Sequence, residues 1–113
     1  MNILDEDISV IERERLRIRK IHIRQIGTEI GRLGMKDRTG IIPLLHTLHY
    51  PTFFTRDHGF YHPRLLHPGY CLVHLDIAFD EVAKYIRRLL RHTEFRAHDR
   101  SAWAKSYVSA TVV

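Results

Sequence analysis

YCLVHLDIAFDEVAKYIRRLLRH, residues 70–92, decides the fold class. Residues 70–75 form a short apolar run, the pattern of a buried strand. Residues 79–92 then follow a helical period. Val82, Ile86, Leu89 and Leu90 share an inward stripe, and Lys84, Arg87, Arg88 and Arg91 face water. Asp80 and Glu81 sit in the first turn, where the helix dipole favours acids. A buried strand leading into an amphipathic helix is the repeating unit of α/β chains.

Upstream, the same alternation recurs. Residues 2–5, NILD, read as a strand that stops at an acid. Residues 8–18 read as a helix, with Ile8, Ile11 and the Arg15–Leu16 pair at i, i+3, i+4 spacing and Asp7 as N-cap. Residues 20–26, KIHIRQI, alternate as a strand with Ile21 and Ile23 on one side. Gly27, Gly31 and Gly34 punctuate the next segment. Asp37 precedes a second helix at about 39–49, whose start Pro43 confines to Gly40–Ile42 because proline is tolerated only in a first turn. TFFT at 52–55 is a buried strand. Residues 56–69, broken by Pro63, Pro68 and Gly69, are a loop with one helical turn, and 105–113 read as a terminal strand at a sheet edge. The pattern predicts a single domain over 1–113, with a three-layer α/β fold and a mostly parallel sheet of four or five strands.

The bulk numbers agree. The chain has 113 residues, 44% apolar and 27% charged, enough for one packed core. No apolar run approaches the roughly 18–20 residues that span a bilayer. The opening MNILDED turns acidic at once, unlike a secretory leader, so a cytoplasmic protein with no membrane partner is expected. Cys71 is the only cysteine, which excludes an internal disulfide and a cysteine-built zinc site. A formal charge of +5, with nine histidines besides, favours a polyanion as partner.

Acids stand where the strands end. Asp5 closes the first, Asp57 follows the third by two residues, and Asp76 follows the fourth. In a parallel sheet of order 2-1-3-4 they share one edge, and the crevice between the first and third strands is flanked by Asp5 and Asp57. Asp37 reaches the same crevice from the side. Clustered carboxylates repel one another unless a hard cation offsets the charge. Mg²⁺ takes one or two carboxylates plus phosphate oxygens, and it activates water for in-line attack. Aspartate after a strand is also a turn former and helix cap. For Asp76 the cap role is favoured, Asp37 alone reads as a cap, and for Asp5 and Asp57 both roles stay open.

Up to about residue 100 the chain resembles the small PIN-like domains of bacterial toxin–antitoxin systems. ILDED at 3–7, RQIGTEIGRLGMKD at 24–37 and TFFTRDHGFY at 52–61 carry the likeness. YCLVHLD with EVAKYIRRLLRH resembles a subgroup of the family. The resemblance implies a Mg²⁺-dependent ribonuclease, with Mn²⁺ as substitute, acting as a toxin. Asp5, Asp37 and Asp57 would be the catalytic and metal-binding acids, with Glu6 beside the first. RNA and a co-encoded antitoxin protein would be the partners, and a homodimer stays open. Two departures stand out. Gly59 occupies the place of a second aspartate that many relatives carry, and Arg38, Thr39 and Gly40 stand where many carry another acid. They favour the alternative, a PIN-like module that binds RNA or a protein partner without cutting.

Arg56 is a candidate for bidentate phosphate contact. His58, Phe60 and Tyr61 are candidates for contact with RNA by hydrogen bonding or stacking. His58, His62 and His67 in one loop, and His46 and His49 on a helix, do not by spacing alone make a zinc site. The basic face of the last helix reads as solvated or as steering RNA. The glycines do not fit a dinucleotide fingerprint, and no serine or cysteine has the setting of a nucleophile.

Overall fold

The computed structural model describes residues 1–35, 37–60, 63–92 and 108–109, with the backbone alone at 37, 38, 63, 108 and 109. Among them are strands β1 (Asn2–Leu4), β2 (Arg24–Gln25), β3 (Thr52–Thr55), β4 (Cys71–His74) and β5 (Val108–Ser109), and helices α1 (Val10–Ile18), α2 (Ile42–Thr47) and α3 (Val82–Arg91). The strands form one sheet in the order β2-β1-β3-β4-β5, and every pairing is parallel. The α/β class and the order of the first four strands are as expected, so the strand order reverses between β1 and β3.

Both central strands are buried at every position, as strands covered on two faces must be. Register sorts their side chains into rows. Ile3 pairs with Phe53 and Phe53 with Leu72, while Leu4, Phe54 and Val73 form the next row. Successive rows point to opposite faces. The first packs against Ile26, Ile41, Leu45, Phe60 and Tyr70, on the α2 side. The second packs against Leu16, Val82, Ala83, Ile86 and Leu89, on the side of α1 and α3. Among the described residues, no helix is long and apolar enough to cross a membrane.

Several element boundaries differ from expectation for local reasons. Asp7 is not the cap of α1. The chain first makes a turn, with Ile8 N–H donating to the Asp5 carbonyl at 3.2 Å, and Ser9 then caps the helix by accepting from Glu12 N–H at 3.3 Å. The buried stripe runs through Ile8, Glu12 and Leu16, and Ile11 is 66% exposed. The expected strand 20–26 shrinks to Arg24–Gln25 because residues 20 and 21 stop α1. Lys20 takes φ 59°, its N–H reaches the Arg17 carbonyl, and Ile21 N–H reaches that of Leu16, a Schellman closure without glycine. A π-type turn at Asp37–Ile41 leads into α2, with Pro43 in its first turn, so the expected helix 39–49 is shorter. The loop 56–69 holds two 3-10 turns, His58–Phe60 and Pro63–Leu65, and another at Phe79–Glu81 opens α3. Of the expected terminal strand, Val108–Ser109 pairs with β4 at the sheet edge, and the rest lies outside the described residues.

Candidate active site at the edge of the sheet

Beyond the apolar rows the sheet gains a polar one. Asp5 N–H donates to the Phe54 carbonyl at 3.0 Å, which carries the β1–β3 ladder one residue past the strand and sets Asp5 beside Thr55. Thr55 in turn pairs with His74. Asp5, Thr55 and His74 thus follow the row parity of Ile3, Phe53 and Leu72 at the C-terminal end of the strands, where open parallel sheets bind ligands.

Asp5 is 5% exposed. Its Oδ2 accepts the Thr55 hydroxyl at 2.6 Å and its Oδ1 accepts Glu6 N–H at 2.8 Å. Burial raises its pKa above the ordinary aspartate value. The two hydrogen bonds pull it down, and the charges of Asp7 and Asp57 push it up again. The Thr55 hydroxyl oxygen also accepts Asp57 N–H at 2.9 Å, so one side chain ties Asp5 to the loop carrying Asp57. Asp57 is exposed, and its Oδ1 accepts Gly59 N–H at 2.9 Å. The turn-forming role and the place beside Asp5 therefore coexist in one residue.

The remaining expected residues divide. Both carboxylate oxygens of Glu6 accept Gly34 N–H, at 3.1 and 2.9 Å, which anchors Glu6 to the glycine-punctuated loop. Gly34 itself holds φ +77°, a conformation that favours glycine. Arg56 Nε donates to the Ile77 carbonyl at 3.0 Å, holding the connection after β4. The His58 ring meets His74 edge-on at 5.3 Å. Phe60, expected to stack on bases, is instead a core residue, packed edge-on against Phe53 at 5.0 Å, because its 3-10 turn folds it under the sheet's α2 side. Asp76 does not cap the helix that follows, since Ala78 and Glu81 hold the cap positions; it lies near enough to His74 to favour the imidazolium. The backbone of Asp37 lies in the π-type turn, not at a helix cap, while its side chain and the whole of Tyr61 lie outside the described residues.

Beyond the site residues expected from the sequence, three polar residues complete this edge. Thr55 bridges the two acids. His74, 7% exposed, has its pKa lowered by burial first and then by His58, with Asp76, a backbone contact at Arg56 and Asp57 acting the other way. Gln25, buried on β2, donates from Nε2 to the Ile8 carbonyl at 2.7 Å, to that of Asp5 at 3.1 Å and to that of Glu6 at 3.4 Å. It fastens the turn that carries the acids to the neighbouring strand.

The described residues contain no group of three His, Cys, Asp or Glu side chains converging as a ligand set. Asp5 and Asp57 offer two carboxylates, the number Mg²⁺ commonly takes from protein while keeping waters for the rest. Their mutual repulsion and the raised pKa of Asp5 are what a nearby cation would relieve. No protein-family model matches the chain, and neither does any curated protein or solved structure.

Proposed function

We propose that the chain is a PIN-like, Mg²⁺-dependent endoribonuclease and the toxin of a toxin–antitoxin pair. Asp5 and Asp57 hold the ion, with Asp37 completing the set and Mn²⁺ able to replace Mg²⁺. The observation that carries this reading is the buried Asp5 carboxylate, joined through the Thr55 hydroxyl to the Asp57 loop where the strand order reverses. When bound, the ion would polarise a phosphoryl oxygen and lower the pKa of a water. Thr55 keeps Asp5 Oδ2 oriented, and Gln25 keeps the Asp5 backbone in place. The net charge of +5 draws RNA to the molecule. A co-encoded antitoxin protein is the expected partner, and self-association into a homodimer belongs to the same reading.

A second reading has its own support. Gly59 stands where many PIN-like proteins carry a further acid, and the Arg56 Nε–H is already committed to the Ile77 carbonyl. On that reading the edge binds RNA or a protein and does not cut. Incubation with single-stranded RNA separates the two. The nuclease cleaves with Mg²⁺ or Mn²⁺ and stops with EDTA, and Asp57→Asn lowers its rate by about 10²-fold or more, the scale of losing one charge-stabilising group. Retention of RNA with no metal-dependent cleavage assigns the second reading.

A further inference from the structure

We propose that the groove between α1 and α3 is a phosphate-binding site, with Arg19 and Arg87 as its gripping residues and Arg15 and Lys84 beside them. The groove encloses about 380 Å³ and opens to solvent, with Ile18, Asp80 and Ala83 completing its lining. It shares no residue with the acidic edge. It lies on the α1 and α3 side, whereas Asp5, Thr55 and His74 follow the row parity of the α2 side.

Arg15 is fixed in place. Its Nη1 donates to Glu12 Oε2 at 2.8 Å and approaches the Asp80 carbonyl at 3.4 Å, so it forms a wall of the groove. Arg19 and Arg87 differ from it: among the described residues, no carboxylate forms an ion pair with either. The acid that takes arginines of α1 elsewhere, Glu29, engages Arg13 and Arg17. Lys84 rests over the Tyr85 ring at 5.6 Å from its centroid. Three guanidinium groups and one ammonium therefore face a lining whose single acid is Asp80. Reduced solvation, followed by the charges of Arg19 and Arg91, lowers the pKa of Arg87, and an anion in the groove offsets the repulsion among these arginines.

The chemistry selects phosphate. Guanidinium forks match phosphate oxygens in pairs, and arginines outnumber lysine here three to one. A ligand satisfying both Arg19 and Arg87 needs at least two negative charges. A diphosphate or two successive phosphodiesters of a nucleic acid supply them, while Ile18 and Ala83 give the groove an apolar floor for a sugar or base edge.

The test compares the full chain with Arg19→Ala/Arg87→Ala and with Arg32→Ala/Arg64→Ala, which removes the same net charge elsewhere. Titrations in EDTA use pyrophosphate, a 12-nucleotide single-stranded RNA and a hexaglutamate peptide. We expect Arg19→Ala/Arg87→Ala to weaken pyrophosphate or RNA binding by about tenfold or more, and to reduce the RNA salt slope by about 1.4 if two phosphate contacts are lost. The control variant should stay within about twofold of wild type. Pyrophosphate binding without RNA binding identifies a free phosphate compound as the ligand, and RNA binding identifies the nucleic-acid backbone. Equal weakening by both double variants overturns the site, and so does tighter binding of hexaglutamate than of either phosphate ligand. EDTA removes metal-dependent cleavage, so failure of the nuclease reading leaves these outcomes unaffected.

Discussion

At the scale of single residues, Asp5 has the clearest energetic signature. A carboxylate 5% exposed is costly to ionise, and two hydrogen bonds offset only part of that cost, because its pKa remains above the ordinary value. The sign of the pH effect follows. Between the ordinary aspartate pKa and its own raised value, folded Asp5 keeps a proton that the unfolded chain has lost. Stability therefore falls as pH rises through that window and stays lower above it. Asparagine never ionises, and the Thr55 hydroxyl can accept its amide. Asp5→Asn is expected to raise Tm relative to wild type at pH 7, with the advantage vanishing near pH ~3, where aspartate is protonated in both states. Thermal denaturation at the two pH values checks this, and a gain of equal size at both would contradict it. His74 works in the opposite sense. Its depressed pKa gives stability that is present above the ordinary histidine range and lost as pH falls through its own value. The two effects occupy different windows, so they separate in a pH series.

Among elements, the contact of α1 with α3 turns on a buried carboxylate. Glu12 is 1% exposed, its Oε1 accepts Ala83 N–H at 2.9 Å, and its Oε2 accepts Arg15. It sits three residues after Ser9, where a capping box would turn it back on its own helix, but it reaches across to the first turn of α3. One side chain thus satisfies an orphan amide of one helix while belonging to another. Glu12→Ala leaves that buried amide without its acceptor, while Arg15, 58% exposed, stays solvated, and the expected loss is about 2 kcal/mol, read as a lower denaturation midpoint with m unchanged. Glu12→Gln, which keeps the acceptor for Ala83, should lose less. A cost below about 0.5 kcal/mol, the size of a surface substitution, would sink this account. The same residue shows why sequence reading fails where it does. Phe53–Phe54 and Leu72–Val73 announce buried strands as short apolar runs, and their alternation with helical stretches announces a parallel sheet. Ile11 imitates a core residue by spacing, while Glu12 occupies the stripe, because a tertiary amide on α3 compensates its burial. That partner is 71 residues away and leaves no local trace. Likewise Asp5 and Asp57 are legible as acids at strand ends, whereas Thr55 and Gln25 acquire their roles only from the register that sets one strand beside another.

For the molecule as a whole, the acidic edge exists only when the sheet is assembled. Asp5 follows β1, Asp57 follows β3, and the strands become neighbours through pairing across about fifty residues of chain. Gln25 on β2 holds the turn after β1 from the other flank, so three strands cooperate to set two carboxylates. An unfolded chain has no such pair. On the proposed reading, Mg²⁺ therefore binds the folded state and not the unfolded one, and its binding energy adds to folding stability. At a hundredfold excess over Kd the gain is about 2.7 kcal/mol, which for a domain of this size is on the order of 10 °C in Tm. A thermal melt across a Mg²⁺ series should show Tm rising with the logarithm of concentration above Kd. Asp57→Asn should flatten that rise, and so should Asp5→Asn, although the latter starts from a higher Tm. K⁺ at matched ionic strength is the control, because general screening of the +5 charge also stabilises the fold without using the acids. If Mg²⁺ and K⁺ act alike at equal ionic strength, or if Asp57→Asn keeps the full Mg²⁺ response, the two carboxylates do not hold an ion together. The edge is then a structural row, with Thr55 serving only to hold the loop after β3.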